Sequence, residues 1–156
     1  LIVLFAEQNR ALWDQTLIAE GLEQLHQSIQ GNEVNQYQLQ AGIAAEHCWA
    51  SNFAATNWAS ILRQYAILER LDGSVTVRLN RIIAQFFSGD EQNALAEMLQ
   101  LESRLSSSHQ TLYHATLGLF YDKRQQPDRA RVHYETALRT SRSAVEQTFI
   151  RQRLAG

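Results

Sequence analysis

LYHATLGLFYDKRQQPDRARVHYETAL, running from Leu112 to Leu138, is the stretch whose reading decides the fold. Apolar residues recur at helical spacing on both sides of a polar turn that holds the only proline, Pro127. Leu117, Gly118 and Tyr121 fall on the first helical segment, and Ala130, Tyr134 and Ala137 on the second. Small and aromatic residues at these positions suit two helices packed as a hairpin of the repeat type. A hairpin of this kind is a scaffold, so it argues for a fold and leaves the function to the rest of the chain.

Upstream, the same helical period returns several times. Trp13, Leu17, Ile18, Gly21, Leu22, Leu25 and Ile29 predict a helix from about Ala11, with Gly31 as its stop. Asn35 is the expected N-cap of a second helix, whose stripe is read as Tyr37, Ala41, Ala44, Ala45 and Cys48. Thr56 or Asn57 caps a third, with Trp58, Ile61, Leu62, Tyr65, Leu68 and Leu71 on one face. After the turn Asp72-Gly73-Ser74, Val75, Leu79, Ile82, Ile83 and Phe86 define a fourth that ends near Ser88-Gly89-Asp90. Ala94, Leu95, Met98, Leu101 and Leu105 make a fifth, and Ser143 to Leu154 carries a short last helix beyond the hairpin. The run Leu1 to Phe5 is apolar but too short to assign. No long strict alternation suggests a strand. The expectation is a single all-α domain over residues 1–156, about eight antiparallel helices paired by short turns.

Composition narrows the function. The 156 residues carry 14 basic and 16 acidic side chains, a net charge of -2, which lacks the basic excess needed to grip phosphates unaided. Direct nucleic-acid binding is not expected. The single cysteine, Cys48, can form no internal disulfide, and no apolar run reaches membrane-spanning length. A cytoplasmic setting follows as the expectation, without membrane association. The chain opens without methionine and reads as a piece of something longer.

The chemistry-bearing residues do not assemble into a catalytic or metal-binding pattern. His26, His47, His109, His114 and His133 include no HExxH and no pair at i, i+4. His47 and Cys48 are adjacent on a helix and diverge by about 100°. The glycines form no phosphate loop, and the carboxylates are scattered along helices. No cofactor, metal or enzymatic activity is expected. Arg124, Arg129, Arg131, Arg139, Arg142, Arg151 and Arg153 crowd the last third, but Asp122, Asp128, Glu135 and Glu146 interleave with them, as on solvated helix faces. Trp13 and Trp58 lie on apolar stripes and are read as core, whereas Trp49 is the tryptophan expected to make contacts.

Two resemblances add to this reading. The hairpin from Leu112 to Leu138 resembles a tetratricopeptide (TPR) repeat. Ala94 precedes Ala130 by 36 residues, near the TPR period of about 34. This implies a TPR-like right-handed superhelix, degenerate because Gln85 stands where an aromatic residue belongs. Six motifs then occur in order: WDQTLIAEG (Trp13 to Gly21), YQLQAGIAAEH (Tyr37 to His47), TNW with ILRQY (Thr56 to Tyr65), VRLNR (Val77 to Arg81), LYHATLG (Leu112 to Gly118) and EQTFIRQRL (Glu146 to Leu154). Together they resemble the C-terminal helical extension of a group of extracytoplasmic-function (ECF) RNA polymerase sigma factors of bacteria, across nearly the whole chain. Asn57 stands where that group commonly has Asp, and Ser143 where it commonly has Asn; both remain capping residues.

The resemblance implies a regulatory, protein-interaction domain that modulates transcription initiation through contacts with the sigma-factor N-terminal domains or another protein. RNA polymerase and promoter DNA would be engaged only by the parent protein. By analogy with helical-repeat grooves, Gln38, Gln40, Arg78 and His114 join Trp49 as expected partner-contact residues. Apolar surface normally covered by preceding domains is expected to allow a homodimer of the fragment. The alternative is a small-molecule sensor with a pocket between helices lined by Trp13, Tyr37, Tyr65 and Tyr113.

Overall fold

The computed structural model describes residues 10–28 and 35–156. Among them are eight α-helices and no strand: α1 Gln15–Ser28, α2 Gln36–Trp49, α3 Trp58–Leu71, α4 Val75–Phe87, α5 Glu91–Gln100, α6 Gln110–Lys123, α7 Pro127–Thr140 and α8 Ala144–Ala155. Short 3₁₀ turns occupy Arg10–Leu12, Glu102–Arg104 and Ser107–His109. Each helix packs on the next, and α4 also touches α6, so the all-α expectation holds. Leu1 to Phe5, Ile29 and Gly31, all read from the sequence, lie outside the described residues.

Local chemistry sets the helix starts. The Asn35 side chain accepts the Tyr37 and Gln38 N–H groups while Gln38 Oε1 accepts the Asn35 N–H, a reciprocal capping box. Between Thr56 and Asn57, the cap is Asn57, whose Oδ1 accepts the Ser60 N–H at 3.1 Å. Ser74 and Ser143 do the same for α4 and α8 through the N–H groups of Val77 and Glu146. Pro127 opens α7 at the position where its missing N–H costs nothing.

The core runs along α3, α4, α5, α6 and α7. Ile61, Leu68, Leu79, Ile82, Ile83, Phe86, Met98, Tyr113, Leu117, Phe120 and Tyr134 are each less than 2 % exposed. Side chains of this kind stabilise by about 1.5–3 kcal/mol each when fully buried. The predicted stripes of α3 and α4 are seen nearly as read, although Leu71 at the end of α3 stands 55 % exposed.

In α2 the buried side chains are Leu39, Ile43, Ala45 and His47, and the predicted Tyr37 is 73 % exposed, with Ala41 and Ala44 also at the surface. The two aliphatic side chains four apart outweigh the small residues and turn the helix toward α3. The close approach comes at Gly42, where an added Cβ would run into Gln64 Oε1. The fifth helix stops at Gln100, and Leu105 packs against the core from beyond a 3₁₀ turn.

Two helix pairs share a turn and three buried positions at a spacing of 36 residues. At the end of α4 the Gly89 N–H donates to the Phe86 carbonyl and the Asp90 N–H to the Gln85 carbonyl, both at 3.2 Å. At the end of α6 the Gln125 N–H donates to Asp122 and the Gln126 N–H to Tyr121, both at 2.9 Å. These are matching Schellman turns, with Gly89 at φ +113° and Gln125 at φ +56° in the left-handed position. Buried positions correspond as well: Ala94 with Ala130, Met98 with Tyr134, Leu101 with Ala137.

Candidate functional site

The loop from residue 50 to 57 is longer than its counterpart between α4 and α5, and Arg10 fixes it. The Arg10 guanidinium donates to the His47 carbonyl (2.8 Å), the Ala50 carbonyl (2.9 Å) and Thr56 Oγ1 (3.2 Å). The carbonyls at the C-terminus of α2 carry the negative end of the helix dipole, which gives this buried cation its counter-charge. The Thr56 N–H closes a tight turn on the Phe53 carbonyl at 3.3 Å.

Phe53 is thereby set against Trp58 and Phe87, with ring centres 4.9 and 4.8 Å away, and Trp58 lies 5.0 Å from Phe87. Below them Phe86 stacks on Phe120 at 3.7 Å. Phe53, Trp58 and Phe87 floor an open recess of about 590 Å³ completed by Ala54, Leu119, Asp122, Lys123 and Arg153. The Lys123 ammonium sits 5.1 and 5.5 Å from the ring centres of Phe87 and Phe86, and 3.4 Å from Glu91. Asp122 Oδ2 accepts the Tyr134 hydroxyl at 2.8 Å. The surface is therefore apolar at its floor and charged at its lip.

A second cluster lies between α6 and α7. His114 Nδ1 is 2.9 Å from His133 Nδ1, with the rings stacked at 5.2 Å, Tyr121 stacked on His133 at 5.4 Å and Tyr113 edge-on to His114 at 5.1 Å. A hydrogen bond between two imidazoles needs one N–H and one lone pair, so at least one ring is neutral. Burial lowers the pKa of both. For His114, Glu102 opposes and Arg139 adds to the effect; for His133 the neighbouring His114 adds and Glu102 opposes. Among the described residues no group of three or more His, Cys, Asp or Glu side chains is arranged to hold a metal ion.

A third cluster ties three helices. Glu69 of α3 accepts from Arg78 Nε (2.6 Å) and Arg81 Nε (2.5 Å) of α4, and Arg81 continues to Glu97 of α5. Burial opposes ionisation of Glu69, but the hydrogen bonds and charges of the two arginines outweigh it and lower its pKa.

The five residues expected to contact a partner are spread over α2, α4 and α6. Gln38 completes the α2 cap, Arg78 pairs with Glu69, and His114 pairs with His133. Gln40 is exposed beside a smaller recess of about 330 Å³ that also borders Tyr65 and Asn80. Trp49 is 67 % exposed at the end of α2. Of the aromatic residues weighed for a sensor pocket, Tyr113 is 1 % exposed, Tyr65 borders the smaller recess and Tyr37 faces solvent. Sequence reasoning missed Arg10, Phe53, Phe87, Lys123 and the partner of His114. For His133 a signal was present: the Pro127 turn fixes an antiparallel register in which residues 114 and 133 face each other.

Fold and surface together define an all-α protein with an open aromatic recess. No protein-family model and no solved structure matches the chain. An uncharacterized protein of Rhizobium meliloti (strain 1021) is similar, 33 % identical over 153 residues that make up 98 % of this chain. The chain spans 36 % of the length of that relative.

Proposed function

We propose that the chain is a TPR-like regulatory domain of a bacterial ECF sigma factor, a cytoplasmic protein-interaction module without enzymatic activity of its own. It modulates transcription initiation by contacting the sigma N-terminal domains or a partner protein, and the polymerase and promoter are engaged by those other domains. The observation that carries this reading is the order of six motifs between Trp13 and Leu154. Their residues also hold the fold at its joints. Val77 to Arg81 supplies both arginines on Glu69, Thr56 to Tyr65 the α3 cap and the ring of Trp58, and Leu112 to Gly118 the close contact of α6 with Tyr134. A similar protein of which this chain spans little more than a third suits a domain attached to others.

The test is direct association. Mixed with the separately produced polymerase- and promoter-binding domains of such a sigma factor, the chain is expected to form a one-to-one complex in size-exclusion chromatography and calorimetry. No association at about 100 µM, a concentration at which even a weak contact is populated, sinks the reading. Self-association is measured in the same run, with the exposed Leu12, Leu17, Tyr37 and Trp49 of the first helices as the apolar surface for a homodimer.

A further inference from the structure

We infer that the aromatic recess between α3, α4, α6 and α8 receives a short protein segment in which an apolar side chain is flanked by carboxylates. This names the chemistry of the partner for the interaction reading above and rests on that reading only for which protein carries the segment.

The floor decides the apolar part. Phe53, Trp58 and Phe87 already pack on one another at 4.8–5.0 Å, so the depression exists before anything binds and little ordering is needed on association. Its volume of about 590 Å³, open along one side, has room for more than one side chain. The lip decides the charge. Lys123 stands over two phenylalanine rings, where an entering carboxylate would meet it beside the apolar floor rather than in bulk water. Arg153 from α8 lines the same recess. The one carboxylate in the lining, Asp122, already accepts the Tyr134 hydroxyl, and Glu91 meets Lys123 without lining the recess.

The surroundings favour a peptide chain over a compact ligand. A second recess of about 490 Å³ shares Asp122 and Arg153 with the first and adds Asp128 and Arg131, the latter already 3.1 Å from Glu135, so a segment longer than one residue has room to run on from the aromatic floor while Lys123 and Arg153 supply the charge. Nucleic acid fits poorly, because a phosphate backbone calls for a row of cations and, among the described residues, the lining of this recess supplies Lys123 and Arg153 alone.

The experiment uses the whole 156-residue chain and three fluorescein-labelled synthetic peptides, DDLEFDD, its charge-inverted form KKLKFKK, and DDSESDD without apolar residues. The expected result is that DDLEFDD binds at least tenfold more tightly than either other peptide and weakens as salt rises. The double variant Lys123→Glu, Arg153→Glu is expected to lower that affinity at least tenfold. Ala54→Trp, at an exposed lining position, should block the recess without touching the core, and an unchanged melting curve would verify that each variant is folded. Equal or tighter binding of KKLKFKK, indifference to the charge reversal or to Ala54→Trp, or no binding of DDLEFDD at millimolar concentration would each overturn the inference. A complex with the sigma domains that Ala54→Trp leaves intact would retain the proposed function while removing this surface. Peptide binding without a sigma complex would do the opposite.

Discussion

At Gly118 an added methyl group would lie 2.5 Å from two ring carbons of Tyr134, which is 1 % exposed and has its hydroxyl bound to Asp122. The ring has nowhere to go, so Gly118→Ala is expected to lose about 2–3 kcal/mol, seen as a lower urea midpoint with unchanged slope. Gly42→Ala makes the sharper control. Its added carbon meets the end of the flexible Gln64 side chain, and the better helix propensity of alanine should leave the protein neutral or up to about 1 kcal/mol more stable. Gln125 offers a gain, since it holds the left-handed position that Gly89 fills in the preceding unit. Gln125→Gly should raise stability by about 0.5–1 kcal/mol in the same denaturation assay. Gly118 was legible in the sequence as a small residue in a hairpin pattern. Gln125 was not, because nothing in the polar run from Lys123 to Gln126 marks which residue turns left-handed.

Among the elements, α4 is the rung that joins its neighbours by charge as well as by packing. Arg81, with its side chain 14 % exposed, links Glu69 of α3 to Glu97 of α5, while Arg78 is 37 % exposed and reaches Glu69 alone. Arg81→Met leaves two carboxylates short of a partner and should cost about 2 kcal/mol; Arg78→Met should cost under about 1 kcal/mol. A double-mutant cycle with Glu69→Gln would separate the pair energies, and an Arg81 effect no larger than that of Arg78 would refute the ranking. Helices α3 and α4 could be read from the sequence because their aliphatic residues keep one period throughout. Helix α2 and its Asn35 cap could be read too, but its buried face could not: alanines and a glycine occupy so much of it that Leu39 and Ile43 choose the side turned inward. The aromatic recess was harder still to foresee, since it takes residues from a loop and four helices, and Arg10 holds that loop from 40 residues upstream of Ala50.

Across the molecule, buried His47 and half-buried His114 and His133 are expected to make the fold acid-sensitive. Burial first, and the charge of Arg10 second, lowers the pKa of His47 to about 4, and those of His114 and His133 are also lowered. In the unfolded chain all three take up protons near the ordinary value of about 6.5, so the unfolded state binds more protons as the pH falls below it. Stability is fully present above that point. It drains away as the pH drops, with the His47 share lost down to about pH 4 and amounting to about 3 kcal/mol there. Urea midpoints between pH 7.5 and 4 should show this decline, and replacing His47 with Phe should flatten part of it; a flat profile for the native chain would refute the assignment. The matched units α4–α5 and α6–α7 carry a different consequence. Helix pairs that begin and end on the same turn can be added as whole blocks with like geometry at each joint. Duplicating 36 residues from one Schellman turn to the next should lengthen the protein by one helix pair and carry the α8 side of the recess away from Phe53, so that block number becomes a ruler for the distance between the two walls.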